Sequence, residues 1–385
     1  MAVAGINQKF WAKGESVYDT PSTALAATHA FDGLSMSLEP DYNFEALNSH
    51  VGTGSLQNEI AGMKGGKWSV SAVIAPRTAG TAPNTSAFFT AAFGTQTIGG
   101  SSVTYTFSDA NVLATSIHSL RLVKYATDDL NEVVAGAWIE QFLLELQGGQ
   151  MPKLTASGGF SSYGYVYGTA TVNGAHAGAA TAITVTSGHA PKVSAGVFVK
   201  FGTEDNSGAG YYVSAKSGNV LTISPGLANG LSGGESILPL VPSQTLAGTQ
   251  LGGVDSNLTI DGTSLGLISA KLTINTGIKP LSKQANASKP IGIYRAERRK
   301  VEGTISAYFS TALSPYVGAA WDGTVRDIAI RFGPSAGLNM TINLDAARIG
   351  VTSVPFQDAE VTVVDLPFVA RQYAAAADEC NIVFA

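Results

Sequence analysis

Apolar and polar residues alternate in many short runs along the chain, which is the pattern of half-buried β-strands. In the clearest run, residues 67–75 (KWSVSAVIA), tryptophan and three aliphatic residues share one face, and lysine and two serines lie on the other. Residues 300–309 alternate in the same way. Further strands are predicted at residues 34–38, 103–107, 119–125, 137–146, 153–165, 265–275, 327–332, 339–344, 359–368 and 381–384.

Two long polar stretches interrupt this pattern, at residues 41–66 and 278–299, and each is predicted to be a loop. Each precedes a strand that begins with lysine, and a short helix is predicted after that strand. The first helix covers residues 87–93 and stops at Gly94, and the second ends at Trp321. The same order of elements therefore occurs twice, which favours a duplication. A single irregular α+β domain is the alternative.

The middle of the chain has a different composition. Residues 166–244 are rich in Gly, Ala, Thr and Val, and their short β runs are separated by glycine turns. This pattern predicts a small β-barrel or sandwich. We interpret it as an inserted domain, because the earlier pattern of strands resumes after it. The predicted fold is mainly β. Two tandem β-sandwich domains, each flanked by a short helix, cover residues 1–165 and 246–385, and the inserted domain covers residues 166–245.

Composition excludes several classes of function. The net charge of −5 argues against a protein that grips nucleic-acid phosphates, although it permits one that lets nucleic acid pass. Charged residues make up 13% of the chain, and low charge suits surfaces that meet other proteins. The single cysteine cannot form an internal disulfide. With no pattern of a signal peptide or a membrane span, we expect synthesis in the cytoplasm and no membrane partner.

Motifs for catalysis or metal binding are weak. The five histidines lack the spacing of metal ligands, and no phosphate-binding loop occurs. Residues 262–266 fit the Gly-x-Ser-x-Gly nucleophile pattern, but an alternating strand follows where a helix is needed, so a hairpin turn is favoured. The acidic residues 204–206 could hold Ca²⁺, but a plain turn is the favoured interpretation. We therefore expect no enzyme activity, no metal and no cofactor.

One stretch resembles a known family. The run GIYRAERRKVEGTISAYF (residues 292–309), the helix after it, the strand at 339–344 and the closing segment at 359–368 resemble the tail tube proteins (major tail proteins) of long, non-contractile-tailed bacteriophages, the siphophages. The resemblance covers the C-terminal third well and the N-terminal part weakly. The middle segment resembles the extra β-domains that such proteins carry on the tube exterior.

The resemblance implies a structural virion protein of the phage tail, made in the host cytoplasm. Subunits join edge to edge into rings, and stacked rings form a tube that conducts double-stranded DNA into the host without sequence-specific binding. Members with a duplicated fold form trimers with pseudo-sixfold symmetry, which is the ring expected here. The implied partners are further copies of the chain, the tape measure protein and the tail terminator and tip proteins. Alternatives are another virion protein, such as a capsid decoration protein, or a glycan-binding adhesin.

The resemblance also implies two sets of site residues. An acidic and polar lumen is expected to be lined by Ser69, Ser71, Glu302, Thr304, Ser306, Glu360 and Thr362, unless the glutamates are only solvated charges on the outer face. The two long loops, with opposite charge, are expected to contact the next ring and set its register. Their candidate residues are Glu45, Glu59, Lys283, Lys289, Arg295, Arg298 and Arg299. The alternative is that the arginines form a solvated turn or pair with Glu297.

Overall fold

The computed structural model describes residues 8–20, 25–46, 59–108, 118–127, 130–246, 248–249, 251–282, 287–334, 338–350, 354, 362–372 and 379–385. The side chains of residues 42–46, 59–62 and 127 are outside this description. The fold is mainly β, as predicted, with large antiparallel sheets, two short α-helices and two single-turn 3-10 helices among the described residues.

The elements fall into three successive parts of the chain. The first part contains β1 (Lys9–Gly14), β2 (Ala30–Phe31), β3 (Gly33–Ala46), β4 (Glu59–Val73), the helix α1 (Ser86–Phe93), β5 (Gly94–Ile98), β6 (Val103–Phe107), β7 (Leu120–Thr127), β8 (Leu130–Ala137), β9 (Gln141–Gln147), β10 (Lys153–Phe160) and β11 (Ser162–Tyr167). The middle part contains β12 (Ala170–Thr171), β13 (Ala182–Thr184), β14 (Phe198–Phe201), β15 (Tyr211–Ser217), β16 (Val220–Ser224) and β17 (Ser236–Pro239). The last part contains β18 (Asn257–Ile260), β19 (Thr263–Leu265), β20 (Leu267–Asn275), β21 (Ile278–Pro280), β22 (Ile293–Arg295), β23 (Lys300–Tyr308), the helix α2 (Ser314–Ala319), β24 (Val325–Phe332), β25 (Met340–Ile349), β26 (Val363–Ala370) and β27 (Asn381–Phe384).

Strands from the first and last parts form one sheet, which we call the central sheet. Its strand order is β19-β18-β24-β25-β26-β23-β20-β9-β10-β4-β3, and β27, β6 and β5 extend it from β25. The two parts meet where β9 pairs antiparallel with β20. They also share one hydrophobic core, in which Phe89 of the first part packs against Phe142 and against Phe384 of the last part. The first and last parts are therefore packed together rather than separated by a linker.

The middle part has a six-stranded sheet of its own, in the order β12-β17-β14-β15-β16-β13. Its apolar core continues into the five-stranded sheet β11-β8-β7-β1-β2, because Trp11 and Val123 belong to the same buried cluster as Val199. Arg121 of β7 is buried and its guanidinium lies 4.7 Å from the ring centroid of Phe198. The middle part is thus packed against the first part by apolar contacts and by the Arg121 guanidinium, which stacks on Phe198.

The two helices occupy different environments. Helix α1 is covered on most sides, with Phe88, Phe89 and Phe93 buried, and it ends at Gly94 as predicted, where φ is 97°. Helix α2 begins at Ser314 and ends before the predicted Trp321, which is 79% exposed.

Three predicted boundaries are wrong for the same reason, since backbone pairing does not follow apolar pattern alone. The loop predicted at 41–66 is largely strand, because β3 and β4 continue as a hairpin to Ala46 and from Glu59. The strand predicted at 137–146 begins only at Gln141, as β9, because Ala137 is the last residue of β8, which lies in a different sheet. The corner between them holds Trp138, which is 5% exposed; its backbone carbonyl lies against Gly158 and its indole packs over Gly159, where no side chain is present. The loop predicted at 278–299 contains the short hairpin β21–β22.

A glycine in β23 provides a stability test of this packing. A Cβ at Gly303 would lie 2.1 Å from the carbonyl oxygen of Lys271 and 2.6 Å from Cζ of Phe368, so neighbouring backbone must move. Gly303→Ala is therefore expected to lower the free energy of unfolding by about 2 kcal/mol in urea titration. Gly318→Ala in α2 is the control, because nothing lies within 4 Å of its Cβ position. A Gly303→Ala variant as stable as wild type would contradict the close approach.

Candidate functional site

The candidate site is one face of the central sheet, which we call the polar face. It is defined by Ser69, Ser71, Glu145, Lys153, Lys271, Lys300, Glu302, Thr304, Ser306 and Asp365, carried on β4, β9, β10, β20, β23 and β26. The opposite face of the same strands is buried: Trp68 is 2% exposed and Val70 is 1% exposed, while Ile305 is fully buried. Because successive residues of a strand point to opposite faces, burial of one face turns the serines, threonines and charges to the other.

The strand register places predicted lumen residues of both parts in the same row. Ser71 is opposite Thr155, which is opposite Leu143; Leu143 is opposite Thr273, and Thr273 is opposite Glu302. This row crosses the β9–β20 pairing without a break. Two sequence-distant candidates, Ser71 and Glu302, therefore belong to one surface.

The charges on the polar face alternate in sign. Glu145 of β9 has Lys153 and Lys271 as its direct neighbours on the two adjacent strands, and its carboxylate lies 3.4 Å from the Lys271 ammonium. The carboxylate of Glu302 lies 2.6 Å from the Lys300 ammonium. Among the residues that define this face the expected acidic surplus is absent, because Lys153, Lys271 and Lys300 balance Glu145, Glu302 and Asp365. The face is polar and mixed in charge.

The remaining lumen candidates have different placements. Thr304 is half-buried opposite Pro367, and the hydroxyl of Ser306 donates a hydrogen bond to Asp365. Thr362 precedes β26, and its carbonyl accepts a hydrogen bond from the Phe309 amide at 2.9 Å. Glu360 lies outside the described residues.

The ends of the polar face are strands with incomplete pairing. Among the residues that the structure describes, β3 pairs along its length with β4. No further strand follows β3 in the sheet order, so its other edge has no strand beside it. At the other end of the polar face, β26 pairs with β23 over seven residues but with β25 over only three. Unpaired backbone amide and carbonyl groups at such edges can pair with another chain.

Most basic loop candidates have partners inside the chain. The guanidinium of Arg299 forms two hydrogen bonds with the Glu379 carboxylate, at 3.0 and 2.8 Å, and stacks 4.0 Å from the ring centroid of Phe107. Its side chain is 5% exposed. Both Arg295 and Arg299 also donate to the carbonyl of Ser108, at 3.2 and 3.3 Å. Arg299 is therefore a buried structural residue rather than part of a solvated turn, and it joins three distant parts of the sequence.

The other loop candidates, and Glu297 as the alternative partner of the arginines, fall into three groups. Arg298 and Glu297 are exposed, and Lys289 contacts Asp19 and Ser162 of the same chain. Lys283 and the side chains of Glu45 and Glu59 lie outside the described residues.

Sequence reasoning missed a buried carboxylate. Glu15 is 8% exposed, and it accepts hydrogen bonds from the Ser119 hydroxyl at 2.6 Å, the Gly136 amide at 3.0 Å and the Asp19 amide at 3.2 Å. Burial raises the pKa of Glu15 to about 7, and the nearby negative charge of Asp19 raises it further against the lowering effect of the hydrogen bonds. The only sequence signal was a lone glutamate beside an aromatic strand.

The weak catalytic and metal motifs have ordinary structural roles. Asp261 and Gly262 form the turn between β18 and β19, with φ of 48° and 79°, as the hairpin prediction required. The Ser264 hydroxyl donates to the Asn257 side chain at 2.7 Å. The Glu204 carboxylate accepts hydrogen bonds from Tyr211 and Asn229, at 2.5 and 2.6 Å. In the described part of the chain, no three His, Cys, Asp or Glu residues group as metal ligands.

Comparisons with known proteins add no family to this geometry, because no family model and no curated protein matches the chain. Within the described ranges, no helix has the length and apolar character needed to span a bilayer.

Proposed function

We propose that the protein is the subunit of a siphophage-type tail tube, in which copies join into rings and rings stack around a DNA-conducting lumen. The observation that carries this proposal is the central sheet. The central sheet presents one polar face across strands of the first and last parts. It ends at β3, which among the described strands pairs only with β4. Open edges attract other chains, and closing strands into a ring removes the edges.

The pairing inside the chain supports ring closure between chains. β9 of the first part and β20 of the last part pair over seven residues, so backbone bonding already joins one part to the other. In the proposed ring, the β3 edge pairs in a similar way with the β26 end of a neighbouring copy. Cyclic closure makes a ring, and head-to-tail stacking makes a tube.

The order of pairing supports two tail-tube-type sandwich units in one chain. β3 pairs with β4 and β4 with β10, while β20 pairs with β23 and β23 with β26. In each case a helix follows the second strand of the series, α1 after β4 and α2 after β23. With two such units per chain, three chains complete a ring of pseudo-sixfold symmetry.

The proposed lumen is the polar face. DNA affinity grows with the number of phosphates that lysine and arginine neutralise. On the polar face, Lys271 and Lys300 already lie beside Glu145 and Glu302, so phosphates compete with carboxylates for them. A mixed polar face therefore allows DNA to move past without being held. The middle part is assigned to the tube exterior, and tape measure, terminator and tip proteins are the proposed tail partners.

Accessibility of introduced cysteines tests this assignment. Native Cys380 is buried and burial raises the pKa of its thiol, so it provides little background labelling. Ser69→Cys on the polar face and Ser217→Cys on exposed β15 are a matched pair. Both are expected to react with a bulky maleimide in the unassembled chain. In assembled tubes, only Ser217→Cys is expected to react.

Negative-stain microscopy and mass determination over a concentration series accompany the labelling. Rings of three chains with a central hole, stacked into tubes, are the expected result. Discrete monomers at every concentration would contradict the proposal, and monomers that bind glycans would favour the adhesin. Tubes in which Ser69→Cys reacts as fast as Ser217→Cys would place the polar face outside.

A further inference from the structure

We propose that the contact of Lys289 with Asp19 and Ser162 is a latch, which holds residues 288–295 against their own chain until copies assemble. The inference rests on the proposed function, because it requires rings that stack and because these residues belong to the stretch 278–299, which is expected from the sequence to contact the next ring. It concerns how that contact is regulated in the free subunit.

Three polar groups form the latch. The Lys289 ammonium contacts Oδ2 of Asp19 and donates a hydrogen bond to the Ser162 hydroxyl at 2.9 Å. The Ser162 hydroxyl in turn donates to the same Asp19 oxygen at 2.9 Å. Beside the latch, the amide of Lys64 donates to the carbonyl of Ser288 at 2.8 Å. The segment is therefore joined to β11, to β4 and to the N-terminal segment at once.

The acidic side of the latch is fixed in place. Asp19 has a left-handed backbone, with φ of 52°, and its side chain is only 6% exposed. Its amide donates to Glu15, which is itself held by Ser119 and Gly136. The Asp19 carboxylate is thus positioned by buried neighbours before Lys289 reaches it.

The Lys289 side chain can leave the latch without being desolvated. The Lys289 side chain is 48% exposed, so its ammonium can return to water when the contact breaks. Asp19 cannot do the same, and its Oδ1 already has no hydrogen-bond partner in the described structure. Opening therefore leaves a buried carboxylate beside Glu15 without its counter-charge, which favours the closed state in the isolated chain.

Contacts with another copy offset the free energy that is lost when the latch opens. The latched segment carries Ile291, 48% exposed, and Tyr294, 37% exposed, on its outer side. Burying these side chains against another copy offsets the loss of the Lys289 contact. The free subunit is thereby held in a state that stacks slowly, and removing the latch raises the fraction that is ready to stack.

The test measures the lag before tube formation, by light scattering from purified monomers. Lys289→Ala and Asp19→Asn are each expected to shorten the lag about tenfold, because the stacking-competent fraction rises. Lys279→Ala is the matched control, since Lys279 lies in the same loop and 3.9 Å from Glu140 but outside the latch. Its lag is expected to equal that of wild type. Thermal unfolding of each monomer confirms that the variants are folded.

The outcomes separate the latch from the proposed function. Folded Lys289→Ala and Asp19→Asn chains with the wild-type lag would overturn the latch while the tube remains. A folded Lys289→Ala chain that forms rings but no tubes would also overturn it, because Lys289 would then be needed between rings. If wild type and Lys279→Ala form neither rings nor tubes, the proposed function fails and the latch with it.

Discussion

An Arg299→Ala variant is expected to lose about 3 kcal/mol of its free energy of unfolding, because the change removes one member of a largely buried ion pair. Arg299 is 5% exposed and its partner Glu379 is 18% exposed, so the carboxylate left behind would be poorly solvated. The stacking of the guanidinium on Phe107 is lost as well. Urea unfolding followed by tryptophan fluorescence measures the change.

Arg298 gives the control for this prediction. It is the neighbouring residue and has the same chemistry, but its side chain is exposed. Arg298→Ala is expected to change the free energy of unfolding by no more than about 0.5 kcal/mol. Equal stability of the two variants would show that the Arg299 contacts contribute nothing to the fold.

A Glu15→Gln variant is expected to be less sensitive to pH than wild type. Burial raises the pKa of Glu15 from 4.5 to about 7 in the folded chain. Between these values the folded chain binds more protons than the unfolded chain, so the stability of wild type falls as pH rises. The contribution of Glu15 is fully present below about pH 4.5 and is lost as pH rises through about 7.

The expected size of this loss is about 3 kcal/mol, from the shift in pKa. Urea unfolding at about pH 5 and about pH 8 therefore gives a larger difference for wild type than for Glu15→Gln. In Asp19→Asn, loss of the neighbouring negative charge is expected to move the fall in stability to lower pH. The same pH dependence in wild type and Glu15→Gln would assign it to other groups.

The sequence pattern was sufficient to predict which residues lie on each face of a strand where one of its faces is buried. Trp68, Val70 and Ile305 are in the core and Ser69, Ser71 and Glu302 are on the other face, as alternation predicted. The stop of α1 at Gly94 was also correct, because a positive φ suits glycine. These features depend on residues that are close in sequence, so the pattern of apolar and polar residues predicts them.

Contacts between distant residues could not be read in the same way. The partners of Arg299 are Phe107 and Glu379, which lie in different parts of the chain, so the sequence pattern indicates contact with the next ring or a solvated turn for this arginine. The pairing of β9 with β20 depends on backbone groups that every residue carries. The charge balance of the polar face follows from that pairing, because it brings Lys271 beside Glu145.

The pairing of β27 with β6 has a consequence for synthesis on the ribosome. Residues 381–384 pair with residues 103–106, and Phe384 packs against Phe89 and Tyr105. Nearly all the chain between them must leave the ribosome before this pairing can form, and closing so long a segment slows folding. Until then the nascent first part exposes one edge of β6 and the aromatic surface around Phe89. Exposed apolar surface of this kind is what chaperones shield during folding.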